Sequence, residues 1–284
     1  MTSTLIVGGL TVDRFTDGTV APGGSVLHSG LAAVAQGARL TTLTVAGDEP
    51  AARLGLERLS SLGVLVCQPA VATTTYRHEE RDGVRVLVFE GRTAPIRADR
   101  LHEVGRPEVA LVAPIADEVP ASLVARLREE VAPGRTVLLI QGWLRHLVVG
   151  QDALPMPLDA LDADQVRALT EADAIVVSTE DLVESPRDPF AQAAALRSLA
   201  GPRPIVLVTL GVEGYLLDDP GLDRVLASVP RLVVTGVPAV GAGDTFGAAL
   251  AVHLARGVSA GAAADRATDA VIAMLEARRA APGP

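Results

Sequence analysis

The stretch AVGAGDTFGAAL, Ala239 to Leu250, sets small residues and one acid at the start of a helical pattern. Phe246, Leu250 and Leu254 recur at i, i+4 and i+8, which predicts a helix from about Asp244 with one apolar stripe. Gly241, Ala242 and Gly243 then lie at its N-terminus. Backbone N–H groups can approach a ligand closely there, and the helix dipole adds partial positive charge, so the turn can hold an anion. Asp244 has two readings at this point. As a cap or first-turn acid it stabilises the helix by about 1 kcal/mol. As a general base it takes a proton from a hydroxyl beside the anion.

The whole chain narrows the chemistry. Its 284 residues contain no lysine, so all 25 basic residues are arginine. That excludes the GxxxxGK[ST] phosphate loop, the protein-kinase strand lysine and Schiff-base catalysis. A net charge of -9 argues against a nucleic-acid partner but not against a phosphorylated small molecule. The five histidines (28, 78, 102, 146 and 253) show no zinc-ligand spacing, and Gly8-Gly9 is not a dinucleotide fingerprint. With one cysteine, Cys67, no intrachain disulfide forms, and its apolar surroundings read as core. No leader or membrane-spanning run is visible, so a cytoplasmic protein with no membrane partner is expected.

Short apolar runs alternate with helical stretches along the chain. Strands are predicted at 4–9, 38–47, 108–114, 135–141, 173–178 and 204–211; helices at 25–38, 50–63, 121–132, 164–172 and 189–201. Two Ala-rich helices close the chain, and the tail ARRAAPGP (277–284) reads as frayed. Strands that are apolar throughout and spaced by helices indicate a mostly parallel sheet covered on both faces. Two segments break the rhythm: 13–24, with Asp17-Gly18, and 73–91, with Asp82-Gly83, each a hairpin signal. They read as strands outside the main sheet, covering one edge. In the second, Arg77, Arg81 and Arg85 alternate, and one of them could reach a ligand.

Ligands of such sheets bind at the carboxyl ends of the strands. The residues just past each strand are Asp13, Gln141, Ser178 with Glu180 and Asp181, the Gly211 to Gly214 turn, and the GAGD turn. His28 lies on the helix after Gly23-Gly24, where it could touch substrate or simply be a satisfied helix histidine.

GAGDTF resembles the signature of the ribokinase-like (PfkB) carbohydrate kinases, and the likeness runs over nearly the whole chain. VGGLTVD, APGGSVLHSG and TLGVEG resemble the family's strand-end acid, its GG turn and its TxGxxG nucleotide turn. IQGWLR (140–145) is similar to the DxQGxxR stretch of the myo-inositol kinase-like branch. The chain departs from the family at Pro238-Ala239-Val240, where Asp-Thr-x is usual, at His28, often Asn, and at Ser178-Thr179-Glu180-Asp181, where NxxE is usual.

The resemblance implies a single domain over 1–284, a three-layer α/β/α sandwich with a mostly parallel central sheet, and a β lid from 13–23 and 72–93. It implies ATP as donor, a small sugar or polyol as acceptor with myo-inositol leading, and magnesium. Asp244 becomes the base and Gly241, Ala242 and Gly243 the anion hole. Asp13, Gly23, Gly24, His28, Gln141 and Arg145 face the acceptor. Ser178, Thr209, Gly211 and Gly214 face the nucleotide, and Glu180 and Asp181 the metal. Alternatives are a nucleoside kinase, for which Trp143 or Phe15 could stack on the base, and a non-catalytic sugar or nucleotide sensor. The chain is expected to be a monomer or a lid-mediated homodimer.

Overall fold

Successive side chains along a β-strand point to opposite faces of the sheet, and here both faces are covered. In the computed structural model, which describes residues 1–183, 188–222 and 225–280, the chain begins β1 (Ser3–Gly8), β2 (Thr11–Phe15), β3 (Val20–Gly23), α1 (Ser25–Ala35) and β4 (Arg39–Ala46). It continues α2 (Pro50–Leu62), β5 (Gly63–Pro69), β6 (Thr74–Arg81), β7 (Val84–Gly91), β8 (Val109–Ala113), α3 (Ala121–Arg126) and β9 (Thr136–Leu139). The second half runs β10 (Arg145–His146), β11 (Gln151–Asp152), β12 (Leu154–Pro155), α4 (Ala163–Glu171), β13 (Ala174–Ser178), α5 (Pro189–Ala200) and β14 (Ile205–Thr209). It ends with β15 (Tyr215–Asp218), β16 (Leu226–Ser228), α6 (Ala242–Ala255) and α7 (Ala260–Ala280).

Nine strands form the main sheet in the order β16-β15-β14-β13-β9-β8-β1-β4-β5. Pairing is parallel from β14 through to β5, and β15 and β16 add an antiparallel edge. Leu5 and Val7 of β1 pack with Leu123, Val124, Leu169 and Leu196 of α3, α4 and α5 on one face. Ile6 between them packs with Val26, Leu59, Leu250 and Ala263 of α1, α2, α6 and α7 on the other. Neither face is wet, which is why these strands are apolar throughout rather than alternating.

The chain winds from β1 toward β4 and β5, then returns to β8 and winds the other way. That switch point opens a crevice beyond the carboxyl ends of β1 and β8. The two irregular segments supply most of a second sheet, ordered β11-β7-β6-β2-β3, in which β2 and β6 are parallel. The β6–β7 turn places Asp82 at φ 53° and Gly83 at φ 75°, the paired left-handed geometry that an Asp-Gly hairpin turn uses. The short strand β11, two residues long, carries no pattern that sequence could reveal.

Three details differ from the sequence reading. The helix expected at 121–132 is α-helical only to Arg126; a π-turn follows over Leu127–Val131, and Ala132 ends it in the left-handed region at φ 46°. Helix α6 begins at Ala242 rather than Asp244, and it is buried from Asp244 to Leu254 rather than along one stripe. Its small residues, Gly247, Ala248, Ala249 and Ala251, allow α1, α7 and the sheet to close on it from all sides; a side chain at Gly247 would overlap Leu139 of β9. The tail expected to fray from Ala277 stays helical through Ala280, while 281–284 lie outside the described residues.

Because α6 carries the candidate base, its packing sets the stability of the site. Leu250→Ala, at a position with no solvent exposure, is expected to cost about 2–5 kcal/mol, read as a fall in the urea midpoint at constant m-value.

Candidate active site

A cavity of about 390 Å³ opens beyond the carboxyl ends of the strands. Asp13, Gly24, His28, Gln141, Arg145, Ser178, Glu180, Asp181, Thr209, Gly211, Gly214, Gly241, Ala242, Gly243 and Asp244 all line it. Gly23 stands behind Asp13 instead: a side chain there would overlap the Asp13 carboxylate, so glycine is what lets β3 pass so close.

At the centre is the start of α6. Gly241 occupies the N-cap position in the left-handed region, at φ 77° and ψ 8°, and the His28 ring sits where any side chain on Gly241 would go. Asp244 is therefore the third helical residue and not the cap, and its side chain makes no capping hydrogen bond. It is 7% exposed, and its Oδ1 is buried without a hydrogen-bond partner. Within the described residues no hydrogen bond engages the amide N–H of Gly241 or Gly243. Ser29 of α1 donates to the Asp244 carbonyl at 3.3 Å and holds the turn against α1.

Burial pushes the Asp244 carboxyl above the usual aspartate range, and the attraction of His28 and Arg145 only partly offsets it. A first-turn acid placed for helix stability gains from the dipole in its ionised form. Here the surroundings disfavour that form.

The acceptor-facing end is built by the small sheet. Thr11 Oγ1 donates to Asp13 Oδ1 at 2.8 Å, and His78 Nε2 faces Oδ2 at 3.5 Å. Arg85 lies 3.0 Å from His78 Nδ1, and the His78 ring stacks on Phe15 at 4.7 Å. An arginine has only donors, so at this contact Nδ1 is the acceptor, and Nε2 faces Asp13 without a hydrogen bond. Among the alternating arginines, Arg77 pairs with Glu79 and Glu90, and Arg81 with Glu79 and Asp152, while Arg85 lines the cavity. His78, Tyr76 and Thr11 were not singled out from sequence. The available signal was the two-residue spacing of Tyr76 and His78, which puts both on the inner face of β6. The Tyr76 hydroxyl, its pKa pushed up to about 12 by burial, donates to Ile115 O at 2.9 Å.

At the other end, Ser178 Oγ accepts from Glu180 N at 3.2 Å, and Leu210 N donates to Gly214 O at 2.8 Å to close the glycine turn. Arg145 reaches Asp181 at 3.5 Å, so Asp181 is committed to a guanidinium while Glu180 remains solvent-facing, with no ion pair among the described residues. Among the described residues no group of three or more His, Cys, Asp or Glu could hold a metal ion by itself. Trp143 is not a stacking partner for a base: it is buried in the core, and its indole N–H donates to Val119 O at 2.9 Å. Phe15 spends its ring on His78.

The family model for the pfkB family carbohydrate kinases matches residues 8–281. The chain belongs to this family. Comparison with curated proteins returned no match. Among solved structures, a pyrophosphate-dependent kinase of the ribokinase family, complexed with a pyrophosphate analog and myo-inositol, is 20% identical; the match covers 99% of this chain and 96% of that one at a TM-score of 0.79. Arabidopsis thaliana ribokinase complexed with ribose and ATP is 18% identical, covering 95% and 91% of the two chains at 0.71. Vibrio cholerae O395 fructokinase is 20% identical, covering 98% and 99% at 0.71. At these identities the structures establish the ribokinase-like fold. Within this pfkB-family chain, no helix of the described residues is long and apolar enough to cross a membrane.

The raised pKa of Asp244 carries a stability signature. A carboxyl whose folded pKa lies above its unfolded value holds its proton longer in the native state, so stability falls as pH rises from the unfolded value through the folded one. Asp244→Asn removes that penalty. In paired thermal melts the variant is expected to unfold at higher temperature than wild type at neutral pH, with the gap closing as pH falls toward the ordinary aspartate range.

Proposed function

We propose that this carbohydrate kinase transfers a phosphoryl group from ATP to a hydroxyl of a small sugar or polyol, with Asp244 as general base and the Gly241–Gly243 turn as anion hole. The observation that carries the reading is the pairing, at one helix start, of a buried carboxylate lacking a partner with amide N–H groups lacking acceptors. A sugar or nucleotide sensor needs the N–H groups but gains nothing from the buried acid.

Asp13 and Thr11 would hold acceptor hydroxyls, with Asp13 oriented by His78. Gln141 and Arg145 would contact the acceptor from the β9 side, which, with the IQGWLR likeness, favours myo-inositol. A nucleoside is the weaker choice because neither Trp143 nor Phe15 offers a free ring. The donor would lie along Ser178, Thr209, Gly211 and Gly214, with its phosphates toward Gly241. This end is lined by glycines with Ala239, Val240, Phe246, Thr268 and Val271, and the Phe246 ring packs on Tyr215 at 5.9 Å. Pyrophosphate is compared with ATP as donor because the turn and its N–H groups address phosphate alone. Phosphoryl transfer passes through a loose transition state with charge spread over the transferring group, so positioning and electrostatics lower most of the barrier.

Magnesium fits the cavity through Glu180, because it binds by one or two carboxylates together with substrate phosphates and waters; when bound it would neutralise phosphate charge. Arg85 and Arg145 would contribute fixed positive charge from opposite sides. The small sheet would act as a lid that excludes water and limits hydrolysis of the donor.

Three measurements check this. A screen for donor-dependent phosphorylation with myo-inositol, ribose, fructose and adenosine, using ATP and pyrophosphate, should show turnover with a polyol or sugar; binding without turnover for every acceptor would favour the sensor. With the acceptor found, Asp244→Ala should abolish turnover while ADP still binds, and retention of more than about a tenth of kcat, a barrier change of only ~1.4 kcal/mol, removes the base assignment. Asp13→Ala should raise the acceptor KM by the loss of charged hydrogen bonds of about 1.5–3 kcal/mol each.

A further inference from the structure

The lead-in to the anion hole, Val237-Pro238-Ala239-Val240, has no side chain able to hold its own backbone in place. The support comes from the far end of α7. Arg278 Nη1 donates to Pro238 O at 2.8 Å and to Val240 O at 2.7 Å, so one guanidinium nitrogen bridges alternate carbonyls of the turn. Among the described residues Arg278 pairs with no carboxylate, so its charge is directed at the turn.

The consequence follows from peptide geometry. In a trans peptide, the C=O of one residue and the N–H of the next point in opposite directions. Drawing the carbonyls of Pro238 and Val240 toward Arg278 turns the N–H groups of Ala239 and Gly241 away from it. Both of those residues line the cavity. The intervening Ala239 carbonyl faces back into the turn and accepts from Ala242 N at 3.0 Å.

We propose that Arg278 is a positioning residue for the phosphate-binding turn: its guanidinium locks the two peptide planes that aim Ala239 and Gly241 N–H at the donor phosphate. This rests on the assignment of that turn to phosphate in the proposed function. It also accounts for the plain lead-in sequence, since the order comes from α7 and not from a local side chain.

The test measures anion binding apart from catalysis. Pyrophosphate and ADP are titrated by calorimetry into wild type, Arg278→Ala and Arg278→Lys, with and without millimolar guanidinium. Arg231→Ala is the control, because it removes another tie to α7, the Arg231–Asp269 pair at 2.5 Å, without touching the turn. Arg278→Ala is expected to weaken pyrophosphate binding about tenfold, the loss of one charge-assisted hydrogen bond's worth of order. Guanidinium should restore it by filling the space between the two carbonyls. Arg278→Lys should fall between, with no response to guanidinium, and it serves as the readable variant if Arg278→Ala does not fold. Arg231→Ala should bind as wild type. Unchanged binding in Arg278→Ala, a loss that guanidinium does not restore, or an equal loss in Arg231→Ala would each overturn the proposal. If the binding defect and its rescue appear while no acceptor supports turnover, the positioning role stands and the kinase reading fails.

Discussion

Amide N–H groups without acceptors at the start of a buried helix, with a carboxylate buried among them, are the constraint on which the rest of this structure turns. The half-buried Gly241 and exposed Gly243 leave their N–H groups open to a ligand, while the buried, unpaired Asp244 oxygen forfeits hydration and its carboxyl is held above its usual pKa. A chain with no lysine and a net charge of -9 has no flexible ammonium to supply positive potential where a phosphate would sit. That potential comes from backbone dipoles and from arginines, whose charge is permanent and whose donors are held in a rigid fork. Arg85 reaches in from the small sheet and Arg145 from β10, while Arg278 grips the turn from behind.

Keeping such a turn in one geometry needs support on every side, and the packing of α6 provides it. The helix is enclosed because its own residues are small, so α1, α7 and the sheet approach closely. Ser29 from α1 and Arg278 from α7 take the turn's carbonyls, and His28 fills the space above Gly241. The unsatisfied side-chain atoms at this site are Asp244 Oδ1, His28 Nε2 and His78 Nε2. Local cost concentrated at a site and offset by packing elsewhere is the usual pattern where function and stability compete.

The layered fold was legible because its signals are local. A strand buried on both faces reads as an apolar run, and an Asp-Gly pair marks a hairpin. The rim of the site was legible for a topological reason: in a parallel sheet the residues just after each strand meet at one edge whatever lies between them. Gln141, Ser178 and Thr209 therefore came together as strand ends, whereas Asp13, expected at the end of the first strand, lies inside β2 of the small sheet, and the GAGD turn opens α6. Illegible were the pairings. Asp181 pairs with Arg145, 36 positions away, and Arg278 holds Val240, 38 positions away. Nothing in the spacing of either pair marks it, because tertiary contact is blind to sequence distance. Trp143 misled for a related reason: its position suggested a ligand, but burial and a carbonyl for its N–H claimed it for the core.

Residue types alone were enough to establish the α/β/α architecture, the absence of lysine chemistry and the presence of an acid beside a glycine-rich helix start. These depend on periodicity, composition and adjacency, which are properties of the linear chain. Whether Asp244 caps its helix or stands unpaired within it, which of three alternating arginines faces the cavity, and what holds the lead-in of the glycine turn were decided only by folding. Each of those outcomes is a competition among partners for burial and hydrogen bonds, and the partners meet only when distant segments pack together.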